Sequence, residues 1–265
     1  MNDQPATITR ELLRRDSNGV AYMTLNRPAA RNALTLSLMA ALDAELGAIA
    51  TDHSVKVVVI AGAGPAFCAG HDMRELRANP DRAAYEATFA QCSRLMLRIV
   101  QLPKPVIARV HGVATAAGCQ LVATCDLAVA ADTARFATPG VDIGLFCSTP
   151  MVALTRAIPR KHAMQMLLTG ELVDAAQAHS FGLVNRVVPE PDLDAAVTEL
   201  AEQIAGKSPV TVAIGKAAFY RQAEMPLVAA YAYASEVMTR NMLVHDAAEG
   251  IDAFLEKRPP IWTGT

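Results

Sequence analysis

Short runs rich in β-branched residues alternate with longer amphipathic segments through the amino-terminal part of this chain. VKVVVIAG (55–62) predicts a strand, and residues 34–50 and 83–102 carry apolar side chains at helical spacing. Strands that alternate with helices return to a largely parallel sheet buried on both faces. The alternation therefore predicts an α/β fold, with further strands at 20–25, 104–112, 127–132 and 182–189.

Helical patterns dominate the carboxy-terminal part of the chain. We expect an α/β core over residues 1–200 and a helical region over residues 201–265, with no low-complexity linker between them. Met, Tyr and Leu occur on several faces of the predicted helices. These helices therefore pack either on a core of their own or on another subunit, and the sequence leaves both alternatives open.

The composition argues against several classes of function. With 265 residues, 52% of them hydrophobic, and a net charge of −2, the chain lacks the basic field that nucleic acid or an anionic membrane attracts. The segment 1–15 is too polar for a signal peptide, and no apolar run approaches the roughly 20 residues of a membrane span. The cysteines are scattered without a C-x-x-C pair, which favours reduced thiols over disulfides or zinc. We expect a cytoplasmic protein without nucleic-acid partner, membrane span or metal; its cysteines are Cys68, Cys92, Cys119, Cys125 and Cys147.

Two loops of small residues follow predicted strands. AGAGPAFCAGHD (61–72) ends a strand in glycines that allow a ligand to approach the backbone closely. In VHGVATAAGCQLVATCD (110–126), a helix that begins near Ala117 aims its free amides at whatever lies in front of it. Together the loops could form an oxyanion hole. The alternative is that the small residues only permit close packing of helix on strand.

These segments resemble the crotonase family, also called the enoyl-CoA hydratase/isomerase superfamily. The resemblance implies a crotonase-like spiral of ββα units and carboxy-terminal helices that form a homotrimer or a dimer of trimers. It also implies a CoA thioester as ligand or substrate, with no further cofactor. The motifs that carry it keep their order and spacing over nearly the whole chain: LNRPAARNAL (25–34), FCAGHD (67–72), GVATAAGCQLVATCDLAVA (112–130), FATPGVDIGL (136–145), TGELVDAAQAHSFGLVNRVV (169–188) and AFLEKRPP (253–260).

Backbone amides form the oxyanion hole in that family, and the matching amides here belong to His71 and Ala117. Such a hole polarises a thioester carbonyl and stabilises an enolate. Lys257 is either a contact to the 3′-phosphate of CoA or a solvated charge at a helix end. The resemblance implies CoA contacts at Ala29, Arg31, Ala69, Gly70, His71, Asp72, Met73, Phe254 and Lys257.

The sequence departs from the family at its acid/base positions. Hydratases of this family hold and deprotonate water with two glutamates, whose pKa values can be tuned for the task. The matching residues here are Gln120 and Gly140, and Ser148 stands where other members place an aspartate. An amide orients water but does not take its proton, and glycine has no side chain. Water addition by a pair of glutamates is therefore not supported.

Other groups are candidates for the missing chemistry. His71 is either an acid/base group or a ring that only packs over the CoA or bonds to a backbone carbonyl. Asp142 follows Gly140 by two residues, so in an extended segment it points the same way, either as a displaced carboxylate or as a structural one. Asp72 is interpreted as a helix cap or a loop-stabilising acid and not as a catalytic group. Cys147 and Ser148 lack a histidine placed to activate them, and His111 is interpreted as structural.

Three hypotheses remain from the sequence. The first is an acyl-CoA enzyme of the hydratase/isomerase type that uses substitute groups such as His71, Asp142 or a water held by Gln120; a decarboxylase or thioesterase with the same oxyanion hole belongs to it. The second is a non-catalytic acyl-CoA binding or regulatory protein. The third is a purely structural role in an assembly.

Overall fold

The computed structural model describes residues 10–265. The segment 1–15, which the sequence analysis found too polar for a signal peptide, lies partly outside this range. Strands and helices alternate as the sequence predicts. The strands are β1 (Leu12–Ser17), β2 (Val20–Leu25), β3 (Val57–Gly62), β4 (Ala66–Cys68), β5 (Val106–Val110), β6 (Val113–Thr115), β7 (Leu127–Ala131), β8 (Arg135–Ala137), β9 (Val173–Asp174) and β10 (Arg186–Val188). The helices are α1 (Leu36–Thr51), α2 (Met73–Ala78), α3 (Arg82–Gln101), α4 (Ala117–Thr124), α5 (Ser148–Ala157), α6 (Arg160–Thr169), α7 (Ala175–Phe181), α8 (Leu193–Ala205), α9 (Pro209–Ala223), α10 (Leu227–Met242) and α11 (His245–Glu256).

A six-stranded sheet in the order β1-β2-β3-β5-β7-β10 forms the centre of the fold. In this sheet β1 is antiparallel to β2, and β2, β3, β5, β7 and β10 run parallel to one another. The register pairs Val58 with Val106 and Ala108 with Ala128. Parallel strands of this kind need helical crossovers, which explains why helices separate the strands in sequence.

A second sheet of four short strands, in the order β4-β6-β8-β9, makes the fold a spiral. Each turn contributes one strand to the large sheet, one to the small sheet and then a helix: β3, β4 and α3, followed by β5, β6 and α4, and then β7, β8 and α5. The spiral of ββα units that the sequence implies is confirmed.

Helices cover both faces of the six-stranded sheet. Alternating side chains of β3 divide between the faces: Val58 and Ile60 join α1, α3 and α4 in the main core, whereas Val57 and Val59 pack against α8. The expected boundary at residue 200 falls inside α8, which packs on the sheet through Leu193, Val197, Ala201 and Ala205. The division into 1–200 and 201–265 stays a prediction.

The helix α9 is fixed to the core by a buried ion pair. Lys216 Nζ donates to Asp126 Oδ2 at 2.7 Å and to the carbonyls of Ile99 and Lys104 at 2.9 Å. Tyr220 donates to the other oxygen of the Asp126 carboxylate at 2.9 Å. Burial lowers the pKa of Lys216, an effect that the nearby Asp126 carboxylate opposes, and it raises the pKa of Tyr220.

The helices α10 and α11 pack on each other and on α9, and they leave a large apolar surface open. No helix within residues 10–265 has the length and hydropathy to cross a membrane. The exposed apolar side chains of this surface include Leu227, Val228, Tyr231, Leu243, Phe254 and Leu255.

Candidate active site

The first small-residue loop runs beside residues 31–34. Leu34 N donates to Gly70 O at 2.7 Å, and Asp72 N donates to Leu34 O at 3.0 Å. Residues 70 and 72 therefore bond to Leu34, and the amide of the intervening residue, His71, points to the opposite side. This pairing leaves the His71 amide available to a ligand.

The second loop ends in a strained residue that starts α4. Ala116 has φ +49° and ψ −118°, a conformation that alanine seldom adopts. Its amide donates to Ala137 O at 2.9 Å, and its carbonyl accepts the first bond of the helix, from Gln120 N at 3.0 Å. The amides of Ala117, Gly118 and Cys119 consequently precede the first intrahelical bond.

The two loops meet at Gly70. A Cβ atom on Gly70, which has φ +96°, would lie 2.9 Å from Ala116 Cβ and 3.3 Å from Ala117 N. Thr115 Oγ1 also donates to Ala69 O at 3.1 Å. Small residues therefore do permit close packing, and the same packing brings the His71 segment against the first amide of α4.

Two polar side chains hold the first loop from behind. Asn32 is fully buried, accepts from Arg27 N at 2.9 Å and donates to Ala63 O and Ala66 O at 2.8 Å. His111 Nε2 lies 2.7 Å from Gly64 O. The contact of His111 fits its predicted structural role. Sequence reasoning missed Asn32, although it lies within the RPAARNAL motif.

His71 carries a neutral ring in an apolar setting. Its ring contacts Phe89 edge-on at 5.6 Å between centroids, and neither ring nitrogen forms a hydrogen bond with any described residue. Burial lowers the pKa of His71 to about 4, and the nearby Leu34 carbonyl opposes this shift without cancelling it. The imidazole is therefore uncharged at neutral pH and is a weak base.

Gln120 is buried in the first turn of α4. Cys92 Sγ donates to its side-chain oxygen at 3.7 Å, and Gln120 also lines a cavity. Its amide can orient a ligand but cannot take up a proton.

Gly140 has no room for a side chain. It lies in a 3₁₀ helix (Pro139–Ile143), where a Cβ atom would be 2.7 Å from Leu145 O and 2.9 Å from Cys147 Sγ. Leu145 and Cys147 therefore fill the space that the side chain of a glutamate would enter.

The expectation that Asp142 lies in an extended segment is wrong. Pro139 starts the 3₁₀ helix and Gly144 ends it in a left-handed conformation, so residues 140 and 142 do not point the same way. The exposed Asp142 carboxylate lies 3.0 Å from where a Cβ atom on Gly170 would be. Its contacts place it at the end of α6. Its proposed catalytic role stays a prediction without support from this geometry.

The thiols and Ser148 are not activated. Burial raises the pKa of Cys68, Cys92 and Cys119 to about 12 and also raises that of Cys147. Ser148 starts α5 and donates to Phe146 O at 3.3 Å. None of these groups has the environment of a nucleophile.

The predicted CoA contacts lie in two places. Ala29, Arg31 and Met73 are exposed beside the first loop, and Ala69 is half-buried within it. Asp72 caps α2 through the amides of Arg74 and Glu75 and pairs with Arg27 at 3.0 Å. Phe254 is exposed on α11 and Lys257 is exposed directly after this helix, whose main partners are α9 and α10. Within one chain, the structure does not bring these two groups together.

A cavity of about 670 Å³ begins beside Gln120 and lies between α3, α4, α5 and α9. Its walls are mostly apolar, and they include Met96, Leu97, Val100, Val152, Ala153 and Phe219.

Residues 15–265 match the family described as enoyl-CoA hydratase/isomerase. The chain belongs to this family. It is 46% identical over 249 residues to the enoyl-CoA hydratase domain-containing protein 3 of Rattus norvegicus, covering 94% of this chain and 83% of the relative. The motifs ATAAGCQLVA and FATPGVDIGLFCSTP predict a similarity to the subgroup of that relative, and this comparison confirms it.

Solved structures of the family have the same fold. The enoyl-CoA hydratase of Mycobacterium smegmatis superposes with a TM-score of 0.94 at 55% identity and covers 96% of this chain and 99% of that one. The human enoyl-CoA hydratase domain-containing protein 3 has a TM-score of 0.93 at 45% identity, with 96% and 100% covered.

The predicted cytoplasmic location is contradicted by the relatives. The rat, mouse and human proteins are each named as mitochondrial. The prediction rests on reduced cysteines and on the polar segment 1–15. Reduced cysteines indicate a reducing compartment and do not distinguish the cytosol from others.

Proposed function

We propose that this protein binds an acyl-CoA thioester and polarises its carbonyl between the backbone amides of His71 and Ala117. The contact between Gly70 and Ala116–Ala117 carries this proposal, because it brings close to each other two amides that have no backbone partner among residues 10–265. Backbone donors held in this way stabilise the charge that develops on a thioester oxygen in an enolate or a tetrahedral intermediate.

The proposed chemistry does not use a pair of carboxylates. Gln120 cannot exchange a proton, the side-chain position of Gly140 is filled, and Asp142 lies against Gly170. A reaction in which bond cleavage in the substrate itself generates the enolate, such as loss of CO₂, makes the least demand on these residues. His71, neutral and without a hydrogen-bond partner among the described residues, is proposed to contact the ligand in the uncharged form.

A non-catalytic acyl-CoA binding protein is the second candidate. The filled space at Gly140 favours it, because Cys147 and the Leu145 carbonyl, and not an acid, occupy the space beside this position. This candidate keeps the two amides and the ligand but predicts no turnover.

A trimer or a dimer of trimers is proposed as the working assembly. The exposed apolar residues of α10 and α11 support it, because monomeric proteins seldom leave so large an apolar surface in water. Arg31 and Lys257 are proposed as cationic partners of CoA phosphates, with Lys257 and Phe254 reaching the ligand of an adjacent subunit.

Calorimetry with crotonyl-CoA and with free CoA tests the proposed function. We expect the thioester to bind more tightly than free CoA, because only the thioester offers a carbonyl to the amide pair. Equal affinity would mean that the amide pair does not contact the acyl group. A parallel turnover assay with malonyl-type thioesters distinguishes the two candidates, since only the enzyme releases product.

A further inference from the structure

Gln120 and the free amide of Ala117 lie on the same face of the first turn of α4. The helix begins at Ala117, and residues three apart are neighbours on a helix surface. Helical side chains also lean toward the amino terminus of their helix, so the Gln120 side chain lies over the turn that carries the Ala117 amide. A ligand carbonyl that accepts from this amide therefore has the Gln120 side chain beside it.

The Gln120 side chain, which is 4% exposed, is held by its oxygen. Cys92 of α3 is fully buried and donates its thiol hydrogen to Gln120 Oε1 at 3.7 Å. Burial raises the pKa of Cys92 to about 12, so at neutral pH the sulfur keeps the hydrogen that it donates. Cys92 thereby determines which end of the amide faces α3.

The nitrogen of the Gln120 amide is the end left for a ligand. The oxygen and the nitrogen of a carboxamide point away from each other, so with the oxygen toward α3 the nitrogen faces the cavity that Gln120 lines. Nε2 carries two hydrogens, and the Gln120 side chain bonds to Cys92 alone among residues 10–265. A buried donor without a partner is unfavourable, and a ligand oxygen satisfies it. This position therefore donates a hydrogen bond, where an ionised glutamate would accept one.

We propose that the protein selects CoA thioesters with a carbonyl oxygen on the carbon β to the thioester carbonyl, that Gln120 Nε2 donates to this oxygen, and that Cys92 is the positioning residue of Gln120. This inference rests on the proposed function of the amide pair. Both 3-oxoacyl and malonyl-type thioesters carry such an oxygen. A saturated or enoyl chain offers only hydrocarbon at this carbon and leaves the buried donor unpaired, which weakens its binding.

Calorimetry with pairs of ligands that differ at the β carbon tests the proposal. Acetoacetyl-CoA and butanoyl-CoA have the same chain length, and only the first has an oxygen on this carbon. We expect wild-type protein to bind acetoacetyl-CoA about three- to tenfold more tightly, which is the range that one neutral hydrogen bond supplies. Malonyl-CoA against propanoyl-CoA is the second pair. The pair with the larger affinity ratio assigns the ligand to the 3-oxoacyl or to the malonyl-type thioesters.

Gln120→Leu removes the donor and should reduce the affinity ratio of each pair to about one. Thr124→Val is the matched control and should keep the ratio. Thr124 lies one turn further along α4, and its hydroxyl donates to the Gln120 backbone carbonyl at 2.7 Å.

Cys92→Ala should lower the same ratio, because the amide is then free to turn its oxygen toward the ligand. Cys92→Ser keeps a donor for Gln120 Oε1 and should restore the ratio. A merely structural role of Cys92 would weaken the binding of both ligands of a pair alike, so the ratio separates the two roles. An unchanged ratio in Cys92→Ala would show that Cys92 does not position Gln120.

The inference is wrong if neither oxygen-bearing ligand binds wild-type protein more tightly than its saturated counterpart, or if Gln120→Leu keeps the preference. The proposed function then stands as long as the thioesters bind more tightly than free CoA. If no thioester binds more tightly than free CoA, the proposed function itself fails.

Discussion

Gly140 and Cys147 occupy complementary positions in the fold: a Cβ atom on Gly140 would lie 2.9 Å from Cys147 Sγ. The cysteine is buried at the amino end of α5, and its thiol fills the space next to the glycine. The absence of a carboxylate at this position is therefore accommodated by local packing. A single substitution back to glutamate would have to displace both the thiol and the Leu145 carbonyl.

Gly140→Ala should lower the free energy of unfolding by about 1–3 kcal/mol, because even one added methyl group overpacks this site. Chemical denaturation measures the change. Gly215→Ala is the control: a Cβ atom there has no neighbour within 4 Å, so the variant should gain up to about 1 kcal/mol from helix propensity in α9. Equal stability of Gly140→Ala and the wild type would show that the space is open.

Gly70→Ala should weaken binding of crotonyl-CoA by about tenfold or more, because the added methyl group pushes Ala116 and the Ala117 amide away from the His71 segment. Gly19→Ala provides the comparison. Gly19 also has positive φ, +77°, but its nearest Cβ neighbour is at 3.7 Å and it lies in the β1–β2 turn. Both variants carry backbone strain, and only Gly70→Ala should lose affinity. Loss of affinity in both, or in neither, would contradict the proposed role of this contact.

His71 should make stability depend on pH. Its pKa is about 4 in the folded protein and 6.5 ordinarily, so the unfolded chain binds more protons between these values. Stability therefore falls as pH decreases from about 6.5 to 4, by up to about 1.4 kcal/mol per pH unit from this residue, and is unaffected above that window.

The measurement is the free energy of unfolding across that window for wild type, His71→Leu and His53→Gln. His71→Leu should reduce the slope, and His53→Gln, which changes an exposed histidine, is the control. If the pH dependence of the unfolding free energy were the same in His71→Leu and the wild type, the His71 ring would accept a proton as readily in the folded as in the unfolded state.

Lys216→Met should destabilise the protein by about 3–5 kcal/mol, because it leaves the Asp126 carboxylate buried without its cation. The side chains of Lys216 and Asp126 are 6% and 15% exposed, so water cannot replace the lost partner. Glu224→Gln breaks an exposed ion pair at the carboxyl end of α9 and should cost about 1 kcal/mol or less. If the two variants lost similar amounts of unfolding free energy, the ion pair between Lys216 and Asp126 would not be the anchor of α9.

Much of the fold is predictable from the sequence because its main strands and helices have strong periodicity. The strand predicted at 55–62 is Val57–Gly62, and the helix predicted at 83–102 is Arg82–Gln101. The small sheet escapes prediction, since strands such as Val173–Asp174 are too short to show alternation. In the candidate active site, only the part formed by backbone groups, the amides of His71 and Ala117, is predictable from the sequence. The position of Asp142 depends on a 3₁₀ turn that its neighbours stabilise, and the filling of the Gly140 site depends on a contact seven residues away.

Wild-type protein with crotonyl-CoA tests the central claim most directly. Loss of the enoyl thioester absorbance reports hydration, and calorimetry on the same sample reports binding. We predict saturable binding, tighter than that of free CoA, without hydration at ordinary enzyme rates, because no carboxylate replaces those absent at Gln120 and Gly140. Rapid hydration would contradict this account and would show that another group in the site holds and deprotonates water.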